Sequence, residues 1–265
     1  MTTATRRGLG LAAGLVLGWS GSWLLLLPTS LSHLPVGLVG LAILGRTLLQ
    51  TGLFIVAHDA MHGTLWPSRP TANRRIGQLA LLFYAAIPYE PCRANHVLHH
   101  RHAGTDADPD HHGGGPGTFF RWFGRFMAAY LSAGQLTLLV SSWLALAVLA
   151  APFTATPLAN VMLYGALPAL LSAVQLFLVG TFLPHRPQGP VSSGRGALPG
   201  EGMSHQARSL DWPVWLSLLS CYHFGYHWEH HAFPHLAWHE LPEARRRVKL
   251  GCGSAAGFAL DLSGR

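Results

Sequence analysis

Residues 35–62 read PVGLVGLAILGRTLLQTGLFIVAHDAMH. An apolar run from 35 to 57, long enough to cross a bilayer, is followed without a break by His58-Asp59-Ala60-Met61-His62. About 20 mainly apolar residues make one span. Histidines at i and i+4 project from one face of a helix. The stretch therefore predicts a membrane helix whose end carries two imidazoles aimed at one point.

Three other runs have the same length and character, at residues 8–27, 131–151 and 158–183. A fifth, 76–87, is too short to cross and reads as a re-entrant or interfacial helix ending at a turn over 88–91. Composition agrees with a membrane protein. Only 11% of the 265 residues are charged, against about 25% in a soluble domain. Lys and Arg are absent from the connectors after the first and third runs, and apart from Arg46 they occupy the N-terminus and the segments 58–130 and 184–265. The positive-inside rule then puts both termini and both polar segments in the cytoplasm. The expected fold is all-α and integral to the membrane. It has four transmembrane helices as two hairpins, interfacial helices and a cytoplasmic histidine-rich cap, all within one domain, 1–265.

Arg6-Arg7 before an apolar run also resembles a secretory signal, but the run exceeds a usual h-region and no small-x-small site follows. Arg46 and Gln50 lie at membrane depth, where ionisable residues are functional candidates and packing partners alike. Residues 113–117 and 187–203 read as flexible loops. The net charge of +7 has no basic stretch interleaved with aromatics, so no nucleic-acid partner is expected. Cys92, Cys221 and Cys252 are odd in number and far apart, which excludes a disulfide framework and a thiolate metal site.

Seventeen histidines fall mostly between the apolar runs. Besides His58 and His62 there are two HxxHH clusters, His96-His99-His100 and His227-His230-His231. Neutral imidazoles are good ligands for transition metals. Eight exceed what one metal takes, so two metals are expected. A site without thiolates suggests redox-capable iron used with O2. His185, which directly follows the fourth run, is the best candidate for a ninth ligand. His223 lies four residues before His227, so 223, 227, 230 and 231 line one stripe of a helix, and His102 follows the second cluster; both are possible additions. His111, His112, His205, His235 and His239 read as loop or surface residues. Asp59, Asp106, Asp108, Asp110 and Glu229 are candidates to orient the rings from behind, Asp110 being equally readable as a solvated loop charge. A histidine-lined metal transporter is the rival from another class. It would need polar residues at midplane on several spans, and only Arg46 and Gln50 qualify.

At these clusters the chain resembles the membrane-bound fatty acid desaturase and hydroxylase superfamily. The stretches FIVAHDAMHGTLWP (54–67), NHVLHHRHAGTDADPDHH (95–112), GTFLPHRP (180–187) and CYHFGYHWEHHAFPHLAWHELP (221–242) are similar to the bacterial-type β-carotene ketolases within it. His239 departs from that pattern, which usually has tryptophan there. The resemblance implies a non-haem di-iron centre on three histidine boxes, and a further ligand between boxes two and three at His185. It also implies residence in a bacterial inner or thylakoid membrane and a carotenoid substrate entering from the bilayer. The implied reaction is O2-dependent conversion of a ring C4 methylene to a ketone. A carotenoid ring hydroxylase or a fatty acyl desaturase would share the same boxes. The chain has no dinucleotide fingerprint, haem motif or cysteine set for an iron–sulfur cluster. Electrons are then expected from a reduced ferredoxin on a basic face formed by Arg93, Arg101, Arg121, Arg125 and the run 245–249, residues that positive-inside topology and anionic lipid explain equally well. Met61, Trp66, Phe83, Tyr84 and Phe224 are expected tunnel residues.

Overall fold

A computed structural model describes residues 1–111, 118–186 and 207–250. The expected loops 113–117 and 187–203, with His112, His205 and Cys252, lie outside the described residues.

Among the described residues, four helices are long and apolar enough to cross a membrane: α1 (Thr3–Leu26), α2 (Val36–His62), α6 (Ala133–Ala150) and α7 (Pro157–His185). Between α2 and α6 run α3 (Pro70–Ala85), α4 (Tyr89–His102) and α5 (Phe119–Tyr130). After α7 come α8 (Val214–Cys221), α9 (His227–Ala232) and α10 (Leu241–Lys249). The starts and stops have local causes. The Thr2 hydroxyl accepts the Thr5 amide, Ser132 and Gln135 form a reciprocal cap on α6, and Pro70 and Pro157 open their helices. Gly63 closes α2 at φ +74°, a conformation glycine adopts without penalty. The turn expected over 88–91 comes earlier. Ala86 is left-handed and ends α3, Pro88 caps α4, and Pro91 sits in the first turn of α4, where a missing N–H costs nothing.

The second span is the centre of the molecule. Within its membrane window 44% of residues are buried, against 6% in α1, which presents Leu17 and Leu24 outward. At one end of the bundle the two short connectors meet, with Asn160 Nδ2 donating to the carbonyls of Leu27 and Thr29 at 2.9 and 2.6 Å. The histidine-bearing end of α2 lies at the other. Gly77 on α3 crosses α2 so closely that a Cβ there would stand 2.4 Å from the Tyr89 ring and 2.8 Å from Ala60 Cβ.

Arg46 is fully buried at membrane depth and ties three spans together. Its guanidinium donates to the Trp19 carbonyl (2.8 Å), the Ser22 hydroxyl (2.7 Å) and the Tyr164 carbonyl (2.8 Å), and lies over the Trp23 ring at 4.4 Å. Tyr164 belongs to a π-helical turn, Met162–Ala166, where the ordinary helical ladder is interrupted and a carbonyl is released to a side chain. Gln50 accepts from Trp19 Nε1 at 2.7 Å and donates to the Tyr84 carbonyl, fixing α3 against the spans. Both membrane-depth polar residues are thus packing partners.

Candidate metal centre

All nine expected histidine ligands converge. His58, His62, His96, His100 and His230 form one group, and His99, His185, His227 and His231 a second; within each, one ring nitrogen per residue lies within 4.8 Å of every other. The last two turns of α2 supply His58 and His62, α4 supplies His96, His99 and His100, the end of α7 supplies His185, and α9 supplies the rest. The two HxxHH clusters are used in opposite senses. Positions i and i+4 of the α4 cluster enter the first group and i+3 the second; in α9, i and i+4 enter the second and i+3 the first.

The contacts suit cations better than protons. Nε2 atoms approach in pairs: His62–His96 at 2.7 Å, His100–His230 at 2.9 Å, His185–His227 at 2.9 Å and His227–His231 at 3.1 Å. His227 Nε2 has a single lone pair or a single proton, yet two other Nε2 atoms face it. Imidazole nitrogens held about 2.1 Å from one divalent ion stand about 3 Å apart at right angles. His58 is buried with no hydrogen-bond partner on either ring nitrogen, and Asp59 Oδ1 is 3.9 Å from its Nδ1. Burial, then the neighbouring imidazoles, hold His96, His227, His230 and His231 well below the ordinary histidine pKa, so they are neutral donors. The residues present fit two metal ions.

His99 behaves differently. Its Nδ1 faces both Asp108 oxygens at 3.0 and 3.1 Å, which leaves Nε2 for a metal. Burial opposes its protonation, but Asp108 and Asp110 outweigh burial and raise its pKa. Burial likewise opposes ionisation of Asp108; the His99 partner and the amides of Gly104 and Asp110 overcome it and lower that carboxyl.

The other expected residues divide. Asp110 is buried, not solvated; Tyr130 donates to its Oδ1 at 2.8 Å and Trp122 Nε1 to its carbonyl at 2.7 Å. Asp59 accepts the Trp238 amide at 3.3 Å. Asp106 is exposed in the turn after α4. Glu229 turns away from the imidazoles, accepting from Arg245 at 2.7 Å and from the Ser209 hydroxyl, so it anchors α9 to α10. His102 is exposed at the end of α4. His223 is not on the helix of 227–231. It lies at φ +65° in the turn before α9, stacked between Tyr226 and Trp238, and belongs to neither group. His235 is exposed, and His239 is half-buried against α1 near Gly8. Cys92 lines the site as a thiol, burial pushing it up to about 12.

An apolar cavity of about 250 Å³ reaches the histidines. It begins between Leu136, Leu139 and Trp143 of α6 and a small-residue face of α7, Ala166, Ala169 and Ala173. It ends at His58, His96, His99 and His227. Met61, Tyr84 and Phe224 line it as expected. Trp66 instead lines a separate pocket, and Phe83 packs on Trp19 at 5.5 Å. Sequence reasoning missed Tyr130, Phe126 and Met127 of α5, which form a wall; the amphipathic pattern FFRWFGRFMAAY was the available signal. The expected basic face is also revised. Arg245 is buried against Glu229 and Asp211, Arg246 and Arg247 pair with Glu243, and Lys249 pairs with Asp211.

A helical membrane protein with two histidine groups at one end of its spans matches the fatty acid desaturase family model over residues 32–258, and the chain belongs to that family. Within it, the chain is 41% identical over 248 residues to a beta-carotene ketolase of Paracoccus sp. (strain PC1), covering 90% of this chain and 92% of that protein. It is 42% identical over 212 residues to a beta-carotene ketolase of Paracoccus sp. (strain N81106 / MBIC 01143), covering 77% and 78%. A zeaxanthin 4-ketolase of Chlamydomonas reinhardtii is 39% identical over 79% of this chain and 44% of its own length. No solved structure matches the chain.

Proposed function

We propose that the chain is a membrane-bound di-iron carotenoid 4-ketolase. The observation that carries this reading is an apolar cavity running from the membrane-facing side of α6 and α7 to the two histidine groups, in a chain about 41% identical to a beta-carotene ketolase along most of its length. The whole chain, 1–265, acts as one domain, its spans paired as two hairpins with termini and histidine cap in the cytoplasm of a bacterial inner or thylakoid membrane.

The net reaction converts a ring methylene to a ketone: >CH2 + 2 O2 + 4 e⁻ + 4 H⁺ gives >C=O + 3 H2O, through two hydroxylations at C4 and loss of water from the gem-diol. Bound iron supplies the O2 chemistry. The nine imidazoles hold the metals in two groups, and Asp108 fixes the tautomer of His99 so that its Nε2 points inward. The cavity takes one ionone ring and leaves the rest of the polyene toward lipid. Phe224, 4.5 Å from His58 and stacked on His230 at 5.7 Å, and Met61 exclude water and limit how far the ring advances. An apolar pocket discriminates weakly against one added hydroxyl, so the 4-hydroxy intermediate remains a substrate. Electrons come from a reduced ferredoxin.

The test is pigment analysis of a β-carotene-making host expressing the chain. Mono- and diketones are expected, each ring gaining one oxygen and losing two hydrogens. Unchanged carotene with a new acyl double bond, or 3-hydroxy products alone, would overturn the reading.

A further inference from the structure

Met61 has a second neighbour space. Besides the apolar cavity it lines a polar pocket of about 310 Å³ whose walls include His62, Trp66, Arg74, Glu90 and Arg93. His62 is therefore both a wall of this pocket and a member of the five-histidine group. The rim is basic. Arg74 and Arg93 are exposed on it, and exposed Arg69 lies over the Trp66 ring at 5.9 Å. Glu90, the acidic residue in the wall, is paired with Arg74 at 2.7 Å. Arg69 and Arg93 have no carboxylate partner among the described residues, whereas the basic run on α10 meets Glu229, Asp211 and Glu243. A basic rim thus lies at the α2–α3–α4 corner, in the same pocket wall as the metal-facing His62.

We propose that this pocket, and not α10, is the docking surface for the external electron donor, a small acidic iron–sulfur carrier of ferredoxin type; the proposal rests on the ketolase reading. Each hydroxylation, R–H + O2 + 2 e⁻ + 2 H⁺ giving R–OH + H2O, oxidises two reduced one-electron carriers in succession. A carrier seated between Trp66 and Arg93 meets the His62 side of the first group. The substrate ring stays in the dry cavity across Met61. Electrons and carotenoid then approach from opposite sides, and neither blocks the other. An acidic partner is drawn to Arg69, Arg74 and Arg93 by charge, so association weakens as salt screens it.

The test uses the full-length iron-loaded protein in nanodiscs, with a plant-type [2Fe–2S] ferredoxin as probe. Ketone formation is followed against ferredoxin concentration at about 50 and about 300 mM salt, and ferredoxin binding is measured directly by biolayer interferometry. Arg69→Glu combined with Arg74→Glu is expected to raise the KM for ferredoxin, and its Kd, by about tenfold or more at low salt, with kcat at saturation within about twofold. Turnover driven by reduced methyl viologen should stay within about twofold of the parent, which excludes misfolding. Arg246→Glu combined with Arg247→Glu should leave KM and Kd unchanged. The proposal is overturned if the α10 pair loses as much as the pocket pair, or if the pocket pair binds ferredoxin normally. It is also overturned if the effect exists only in anionic nanodiscs, which would assign the arginines to lipid. Failure of the parent protein to make ketone with viologen would instead sink the ketolase reading, and the direct binding measurement would still judge the docking site.

Discussion

His100 and His231 stack face to face, their ring centroids 4.2 Å apart and their planes 18° from parallel, although they serve different nitrogen groups. The contact is the seam of the centre. Because α4 and α9 each send adjacent histidines to opposite groups, moving either helix disturbs both groups at once. The two groups are therefore built as one unit, and α9, only six residues long, must be held from outside. Glu229 does that, pinned by Arg245 on α10 and by Ser209. Losing the Arg245 partner leaves a buried carboxylate unpaired, at a cost of about 3–5 kcal/mol. Arg245→Met is expected to lose metal from both groups together, read by iron analysis after gel filtration. Retention of one tightly held iron would contradict the interlock.

Asp108 is expected to set metal affinity without touching metal. Replacing a carboxylate behind a ligating histidine typically costs 10–100-fold in affinity. Asp108→Ala should show a loss of about that size in competition with a chelator, and exposed Asp106→Ala none. Equal effects would mean that the loop acts only through its overall charge.

Much of this was legible in the sequence because the signals are local. Span lengths follow from apolar runs, and the clustering of the nine histidines follows from i, i+3, i+4 spacing and from His185 at a span end. What was not legible depends on tertiary direction. Spacing gives His223 a place on the α9 stripe, but Tyr222 and His223 adopt left-handed backbone conformations and break the helix before it starts. Glu229 sits inside a histidine box, yet the side of α9 it faces is decided by Arg245, sixteen residues away. Arg46 announced itself as costly, and oxygens from two other spans, those of Trp19, Ser22 and Tyr164, explain how that cost is met. Tyr130 and Asp110 are twenty residues apart, and no short-range pattern links them.

Arg46→Leu should destabilise without changing the metal sites. It removes donors to the Trp19, Ser22 and Tyr164 oxygens and leaves the Tyr164 carbonyl unsatisfied, each such buried group costing about 1–3 kcal/mol. A fall in apparent Tm in detergent, with two irons per chain retained in the folded fraction, is the expected pair of results. Loss of iron from folded protein would show that Arg46 acts on the centre after all.

Tyr130→Phe removes the hydroxyl that holds Asp110, at the point where the cavity wall meets the second histidine group. The Asp110 carboxyl is already raised, by burial first and then by Asp108, so its loss of a partner should let it turn from His99. The expected outcome is a changed ligand-field spectrum of the iron-loaded protein and about 1–3 kcal/mol lower stability. An unaltered spectrum would make Tyr130 a wall residue and nothing more.

Acid should unfold the metal-stripped protein by way of its boxes. His96, His227, His230 and His231 are held well below the usual pKa, by burial and then by one another, whereas in the unfolded chain they titrate near 6.5. Between that value and their lower folded values the unfolded state binds more protons, so stability falls as pH falls. Each such histidine contributes up to about 1.4 kcal/mol per pH unit, less where neighbours titrate together. His99 works with the opposite sign: its folded pKa is raised, so its contribution is full below about 6.5 and is lost as pH rises. One histidine stands against four. The apparent Tm of the stripped protein should therefore fall steeply from about pH 6.5 to about pH 5. The iron-loaded protein should hold its Tm further into acid, because ligation keeps the imidazoles deprotonated. Differential scanning fluorimetry of both forms across that range decides it. A stripped protein that gains stability on acidification would mean that the box imidazoles are not held neutral in the fold.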